Sequence, residues 1–240
     1  MQDLKTILIG IQARSNNSRL PKKCFEPIGS KRLLDHVIDA CDRSAKYSNR
    51  FTYRTKYSTT VALLIPIGDP IKGAFGSQVA VVEGSELDVL GRFERAQSIY
   101  SADYICRITG DCPLIPSYVV SKHISLAVVG GYDYLSNVDE DCRLSLDGLD
   151  CEVMSANMLS WLCENATTAE EREHVTLKAR VSPPGWAKRG FTASYFDQSD
   201  LKLSVDTAED LANVRAMYDA VGDKLLRAEK LYGRSAIHRF

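Results

Sequence analysis

No apolar run in this 240-residue chain is long enough to cross a membrane as a helix. The first such run, Thr6 to Ile11 (TILIGI), is followed by a charged segment without a small-residue cleavage pattern, so a cytoplasmic protein with no membrane partner is expected. An excess of charge of one sign is also missing: 30 Lys and Arg face 31 Asp and Glu, a net of -1. That balance, with no strip of interleaved basic and aromatic residues, argues against nucleic acid as a partner. The seven cysteines (Cys24, Cys41, Cys106, Cys112, Cys142, Cys151, Cys163) are odd in number and contain no CxxC pair. This argues against a disulfide framework and a zinc ribbon, and leaves most of them as small buried hydrophobes. GxxxxGK[ST] and GxGxxG are both absent, so neither a Walker loop nor a dinucleotide fingerprint is present.

What is present is α/β patterning in a chain long enough for one large core. Thr6–Ile11 reads as a buried strand, and Leu33, Leu34, Val37, Ile38 and Cys41 then fall at helical spacing. Val61–Ile65 and Val79–Val82 are short continuous apolar runs of the kind found in central parallel strands. Ser85-Glu86-Leu87-Asp88 reads as a helix start, and Tyr104–Thr109 as a strand stopped by Gly110-Asp111-Cys112-Pro113. Further expectations are a helix over Ala156–Glu164 and a last strand over Leu201–Val205 that runs into a helix start at Asp206. The polar stretch Lys46–Thr60 reads as an irregular loop. Residues 132–190 hold too few apolar positions for a core of their own and read as an inserted arm.

Chemistry concentrates where strands end. "QARSNNSRLPKK", directly behind the first strand, packs Arg14, Arg19, Lys22 and Lys23 into one loop that suits a polyphosphate. Asp111 lies just past a strand's carboxyl end, where open α/β sheets bind ligands. Each carboxylate has a plain reading, Asp111 as a turn cap and Asp206 as a helix N-cap. Taken together, opposite the cationic loop, they form a pair that could hold Mg²⁺ against phosphate oxygens. "DGLDCEV" gathers Asp147, Asp150 and Glu152, which suits either a polar substrate or a solvated edge strand, and His174 lies in "EREHVT".

With these residues assembled, "QARSNNSRLPKK", "GSELDVLGRF", "RITGDCPLI", "DGLDCEV", "EREHVT" and "LSVDTAEDL" resemble, in order, the signature segments of the spore-coat polysaccharide protein F type of cytidylyltransferase. That group is related to the synthetases of CMP-sialic acid and CMP-3-deoxy-manno-octulosonate. The resemblance implies a Rossmann-like nucleotidyltransferase fold of the nucleotide-diphospho-sugar transferase type. This would be one domain over 1–240 with a mixed central sheet and 132–190 as an acceptor and dimerisation arm. It implies an Mg²⁺-dependent enzyme that transfers CMP from CTP to an acidic sugar or related acceptor and releases pyrophosphate, acting as a homodimer in cell-surface polysaccharide or glycoconjugate biosynthesis. Arg14, Arg19 and Lys23 fall on the triphosphate loop, with Gln12, Ala13, Ser15 and Gly110 completing the expected nucleotide set. Asp111 and Asp206 fall on the metal ligands, and Arg14, Lys23, Asp111 and Asp206 carry the chemistry. Asp147, Asp150, Glu152 and His174 fall in the acceptor region. Asn16 and Lys22 stand where the family loop usually has glycine, and Leu63-Leu64-Ile65-Pro66 where a small polar segment lies near the base. The alternatives are transfer from a nucleotide with another base, or a silent homologue that binds nucleotide or sugar.

Overall fold

The computed structural model describes residues 4–48, 57–138, 146–192 and 201–220. Among these residues a seven-stranded sheet forms the centre, and β2 (Pro27–Ile28) pairs antiparallel with β3 (Lys31–Arg32) in a separate ribbon. β1 (Lys5–Gln12) lies between β4 (Tyr57–Pro66) and β6 (Tyr104–Thr109), parallel to both. Covered on both faces, its Leu8, Ile9 and Ile11 are fully buried, which explains a continuous apolar run instead of an alternating one. β5 (Ala80–Gly84) extends the sheet beyond β4. On the other side β8 (Glu152–Ser155) runs antiparallel to both β6 and β7 (Tyr134–Ser136), and β9 (Arg189–Phe191) closes the edge parallel to β7.

Two apolar layers sandwich this sheet. One lies under α1 (Leu33–Ser48), α2 (Ile71–Phe75) and α4 (Ser117–Gly130), with Leu34, Phe75, Val120 and Ile124 at its centre. The other lies under α3 (Val89–Tyr100) and α5 (Ala156–Asn165), with Leu90, Phe93, Met158 and Leu162. α3 begins where the sequence places a helix start, its cap set by Asp88, whose carboxylate accepts from Gly91 N–H at 2.9 Å. Two short helices, α6 (Ala169–Glu173) and α7 (Leu177–Val181), follow α5. The last helix, α8, occupies 208–220 of the described chain.

Residues 132–190 supply β7, β8 and β9 to the sheet, and Leu135, Val153, Tyr134 and Met154 share the two main cores. Their apolar residues are few because the rest of the chain covers them. Leu201–Val205 is not a sheet strand; it makes one bridge, Lys202 with Asp147, because it runs across the loops at the sheet's end where no strand lies alongside. The stretch read as a loop, Lys46–Thr60, contains the end of α1 and the start of β4, and its residues 49–56 lie outside the described chain.

The topology fixes where a ligand can sit. From β1 the chain moves outward through β4 to β5, then crosses to the opposite side of β1 for β6, so the strand order reverses between β1 and β6. Loops leaving two such parallel strands diverge and leave a crevice at their carboxyl ends. Gln12 and Thr109 pair directly across that point.

Candidate active site

The loop after β1 is fastened from below. Asp69, behind the end of β4, accepts from Ser15 N–H at 2.8 Å, from Ser15 Oγ at 3.1 Å and, through its other oxygen, from Ile71 N–H at 2.9 Å. Ser15, expected to contact nucleotide, is buried against Asp69 and shapes the loop from inside. Lys22 takes the left-handed conformation, φ 60°, at one of the two positions where the family loop usually has glycine; Asn16 is not among the positive-φ residues. That turn drives Lys23 inward, where it is 6% exposed.

Lys23 is the hub. Its ammonium donates to Asp111 Oδ2 at 2.9 Å, to the Val205 carbonyl at 2.7 Å and to Asp206 Oδ1 at 3.3 Å. Burial alone would lower its pKa, but Asp111 and then Asp206 outweigh burial and hold it raised, so the cation persists at neutral pH. Arg19 reaches Asp206 at 3.0 Å, and Lys202 bonds its other oxygen at 3.0 Å. Burial pushes the Asp206 carboxyl up, but Lys202 and Lys23 prevail and keep it below the usual carboxylate range.

The plain reading of Asp206 as an N-cap does not hold. Thr207 Oγ1 accepts from Asp210 N–H at 3.2 Å, and Asp210 Oδ2 accepts from Thr207 N–H at 2.9 Å, so these two residues cap α8. Asp206 is left to face the cleft. It is held there because Val205 N–H donates to the Asp111 carbonyl at 2.9 Å, tying the two carboxylate-bearing segments together. Val205, Leu211 and Val214 pack with Ile28 and Leu33 in a third small core, which anchors α8.

Gln12, Ala13, Arg14, Arg19, Lys23, Gly110, Asp111, His174 and Asp206 line one cleft. Its floor is tight: a Cβ on Gly110 would lie 2.9 Å from the Ala13 Cβ and 3.0 Å from the Gln12 carbonyl, so only glycine lets these loops meet. Further lining residues that escaped sequence reasoning include Asn17, Glu173 and Arg92. Arg92 is 2% exposed and donates through Nη1 to the carbonyls of Leu64 at 2.8 Å and Ala13 at 3.3 Å. Burial, and next the Arg14 charge, lower its pKa to about 10, so it stays cationic and adds to the positive field of the cleft. A buried arginine in a helix reads in sequence as a surface residue, which is why it was missed.

The four acceptor candidates separate. His174 lines the cleft. Asp147 braces the segment ahead of Asp206, accepting from Ser204 Oγ at 2.9 Å, while its carbonyl accepts from Leu203 N–H at 2.7 Å. The neighbouring Gly148 has φ 97°, and a Cβ there would come within 2.5 Å of the Leu203–Ser204 backbone. Asp150 is half-buried, its charge acting on the Cys112 thiol next to Asp111. Glu152 is 1% exposed and turned into the core among Arg107, Tyr134 and Thr176.

Among the described residues no group of three His, Cys, Asp or Glu side chains could hold a metal ion. Two carboxylates that one ammonium already bridges are the set that Mg²⁺ or a similar hard cation needs, since substrate phosphates and water complete its shell. No helix among these residues is long and apolar enough to cross a membrane.

Residues 8–176 match the sequence profile of the cytidylyltransferase family. The spore coat polysaccharide biosynthesis protein SpsF of Bacillus subtilis (strain 168) is 30% identical over 226 residues, covering 92% of this chain and 90% of the relative. A cytidylyltransferase from Leptospira borgpetersenii superposes with a TM-score of 0.75 at 23% identity, covering 99% of both chains. A CMP:2-keto-3-deoxy-manno-octonic acid synthetase complexed with CTP superposes with a TM-score of 0.63 at 14% identity, covering 90% of this chain and 99% of the other.

Proposed function

Given that the chain belongs to the cytidylyltransferase family, we propose that it transfers CMP from CTP to an acidic sugar or a related acceptor, releasing pyrophosphate, in the biosynthesis of a cell-surface polysaccharide. The observation that carries this reading is the convergence of Arg14, Arg19 and Lys23 with Asp111 and Asp206 in one cleft. The acceptor's oxygen attacks the α-phosphorus in line, the bond to the β-phosphate oxygen breaks, and pyrophosphate leaves with its charge compensated by the basic loop. Asp111 and Asp206 would hold a divalent cation, Mg²⁺ by preference, which would supply further positive charge to the triphosphate. Lys23, already fixed at the carboxylates, sits where it can follow charge as it develops. Arg92, which makes no ion pair among the described residues, adds a fixed positive charge to the cleft wall.

The test is pyrophosphate release from CTP and Mg²⁺ over a panel of acidic sugars, including 3-deoxy-manno-octulosonate and sialic acid. We expect one acceptor class to be turned over, and Asp111→Asn and Asp206→Asn each to lose about a hundredfold or more in kcat with the fold intact. Near-normal turnover in both variants would remove the metal assignment. A second reading, transfer from another base, is favoured by one observation: Leu63, Leu64 and Ile65 are fully buried, so the end of β4 offers no small polar side chain to a cytosine edge. Homodimer formation and a cytoplasmic location belong to the same proposal, supported by family resemblance alone.

A further inference from the structure

Glu152 does not line the cleft, yet its partners touch residues that do. Its Oε1 accepts from Tyr134 Oη at 2.5 Å and from Thr176 Oγ1 at 2.6 Å, while its Oε2 accepts from Arg107 Nη1. Arg107 continues through Nε to Gln12 Oε1 at 2.9 Å, and Gln12 lines the cleft. Thr176, fully buried, closes a turn whose other members are His174, also in the cleft lining, and Val175. Val175 is fully buried with φ 54°, a left-handed conformation that a β-branched residue adopts only when its surroundings force it. The forcing contacts are the insertion of Val175 into the α3/α5 core and the bond from Thr176 to Glu152.

We propose that Glu152 is a positioning residue that sets both walls of the cleft at once: Gln12 through Arg107, and the strained Glu173–Thr176 turn, with its His174, through Thr176. The inference rests on the transferase reading and assigns Glu152 a different role from the acceptor contact expected from sequence. Its chemistry suits the task. A carboxylate offers several acceptor sites to donors from three directions, and the guanidinium of Arg107, with that of Arg180 at 3.9 Å, supplies the counter-charge that a buried anion requires. Backbone strain next to a cleft is the kind of arrangement that pre-organises a side chain for a ligand.

Glu152→Ala would remove the anion that faces two partly buried guanidiniums and risks unfolding, so the test uses the hydroxyl partners. Thr176→Val and Tyr134→Phe each remove one hydroxyl from the same Glu152 oxygen, but only Thr176 belongs to the turn. The His174 ring signals are followed by NMR, assigned with His174→Gln, during titration with Mg²⁺ and CTP. The expected result is that Thr176→Val shifts and broadens the His174 signals and needs about fivefold more CTP for half-saturation, while Tyr134→Phe, at a similar loss of Tm, keeps both as in the wild type. Equal behaviour of the two variants, or unmoved His174 signals in Thr176→Val, overturns the proposal. If the wild type fails to respond to CTP at all, the transferase reading fails, yet the comparison of His174 signals between the two variants still decides the role of Glu152.

Discussion

At the residue scale, the site is built from buried polar groups that hold one another in place. Asp69 illustrates the logic: one carboxylate satisfies two backbone N–H groups and a hydroxyl, and so fixes the curvature of the basic loop. An asparagine there offers one acceptor oxygen and a donor where only donors converge. Asp69→Asn is therefore expected to weaken CTP binding about tenfold, or about 1.4 kcal/mol, with little change in kcat, as read from KM against kcat. Unchanged KM would show that the loop holds its shape without this anchor. Lys22 carries a backbone cost. It is exposed, and its left-handed backbone is unfavourable by about 1–2 kcal/mol for a residue with a Cβ, so Lys22→Gly should raise Tm by a degree or more and leave CTP affinity close to wild type. This is the geometry that a loop glycine supplies, reached here by a lysine under strain.

At the element scale, the strand ends and helix caps decide whether Asp206 faces the cleft. Because Thr207 and Asp210 satisfy the first turn of α8, Asp206 has no capping duty. Burial would raise the Asp210 carboxyl, but the bond from Lys202, followed by those from the Asp206 and Thr207 N–H groups, lowers it from 3.8 to about 2. A depressed folded-state value contributes stability that is fully present above the unfolded value and is lost as pH falls through the folded one. Asp210→Asn should thus lower Tm at pH 7, and the gap to wild type should narrow as pH falls from about 4 toward 2, as followed by circular dichroism melts. A constant gap would mean that the cap acts through shape and not through charge.

Elements with clear local signals were legible from sequence, and those set by tertiary surroundings were not. β6 was read to the residue, because a glycine and a proline punctuate Tyr104–Thr109. α4 was missed because apolar residues lie on its exposed side too, at Leu126 and Val129, which blurs the helical period. β7 and β9 have three residues each, too short to show a period of two. In the cleft, Arg14 and Asp111, just past strand ends, and Lys23 and Asp206, in charged segments that follow apolar runs, were legible because charge after an apolar run has a simple meaning. Asp69 and Arg92 were not, since each acts on another segment 28 or more positions away, a distance that pattern reading does not span.

At the scale of the whole molecule, reversal of strand order beside β1 brings the loop after β1, the loop after β6 and the segment before α8 into one cleft, with α3 and the turn after α6 along its wall. The segments are joined by Lys23 and by the bond from Val205 N–H to the Asp111 carbonyl, so ligand binding should stabilise the fold as a unit. The most direct test of a CTP site is a thermal-shift titration with Mg²⁺ and each of CTP, UTP, GTP, ATP and dTTP. A nucleotide at about 100 times its Kd adds about 2.7 kcal/mol, which for a chain of this size is a rise of about 5–10 °C. The account predicts that rise with CTP and a much smaller one with the other four; an equal rise with all five, or none with CTP, would contradict it.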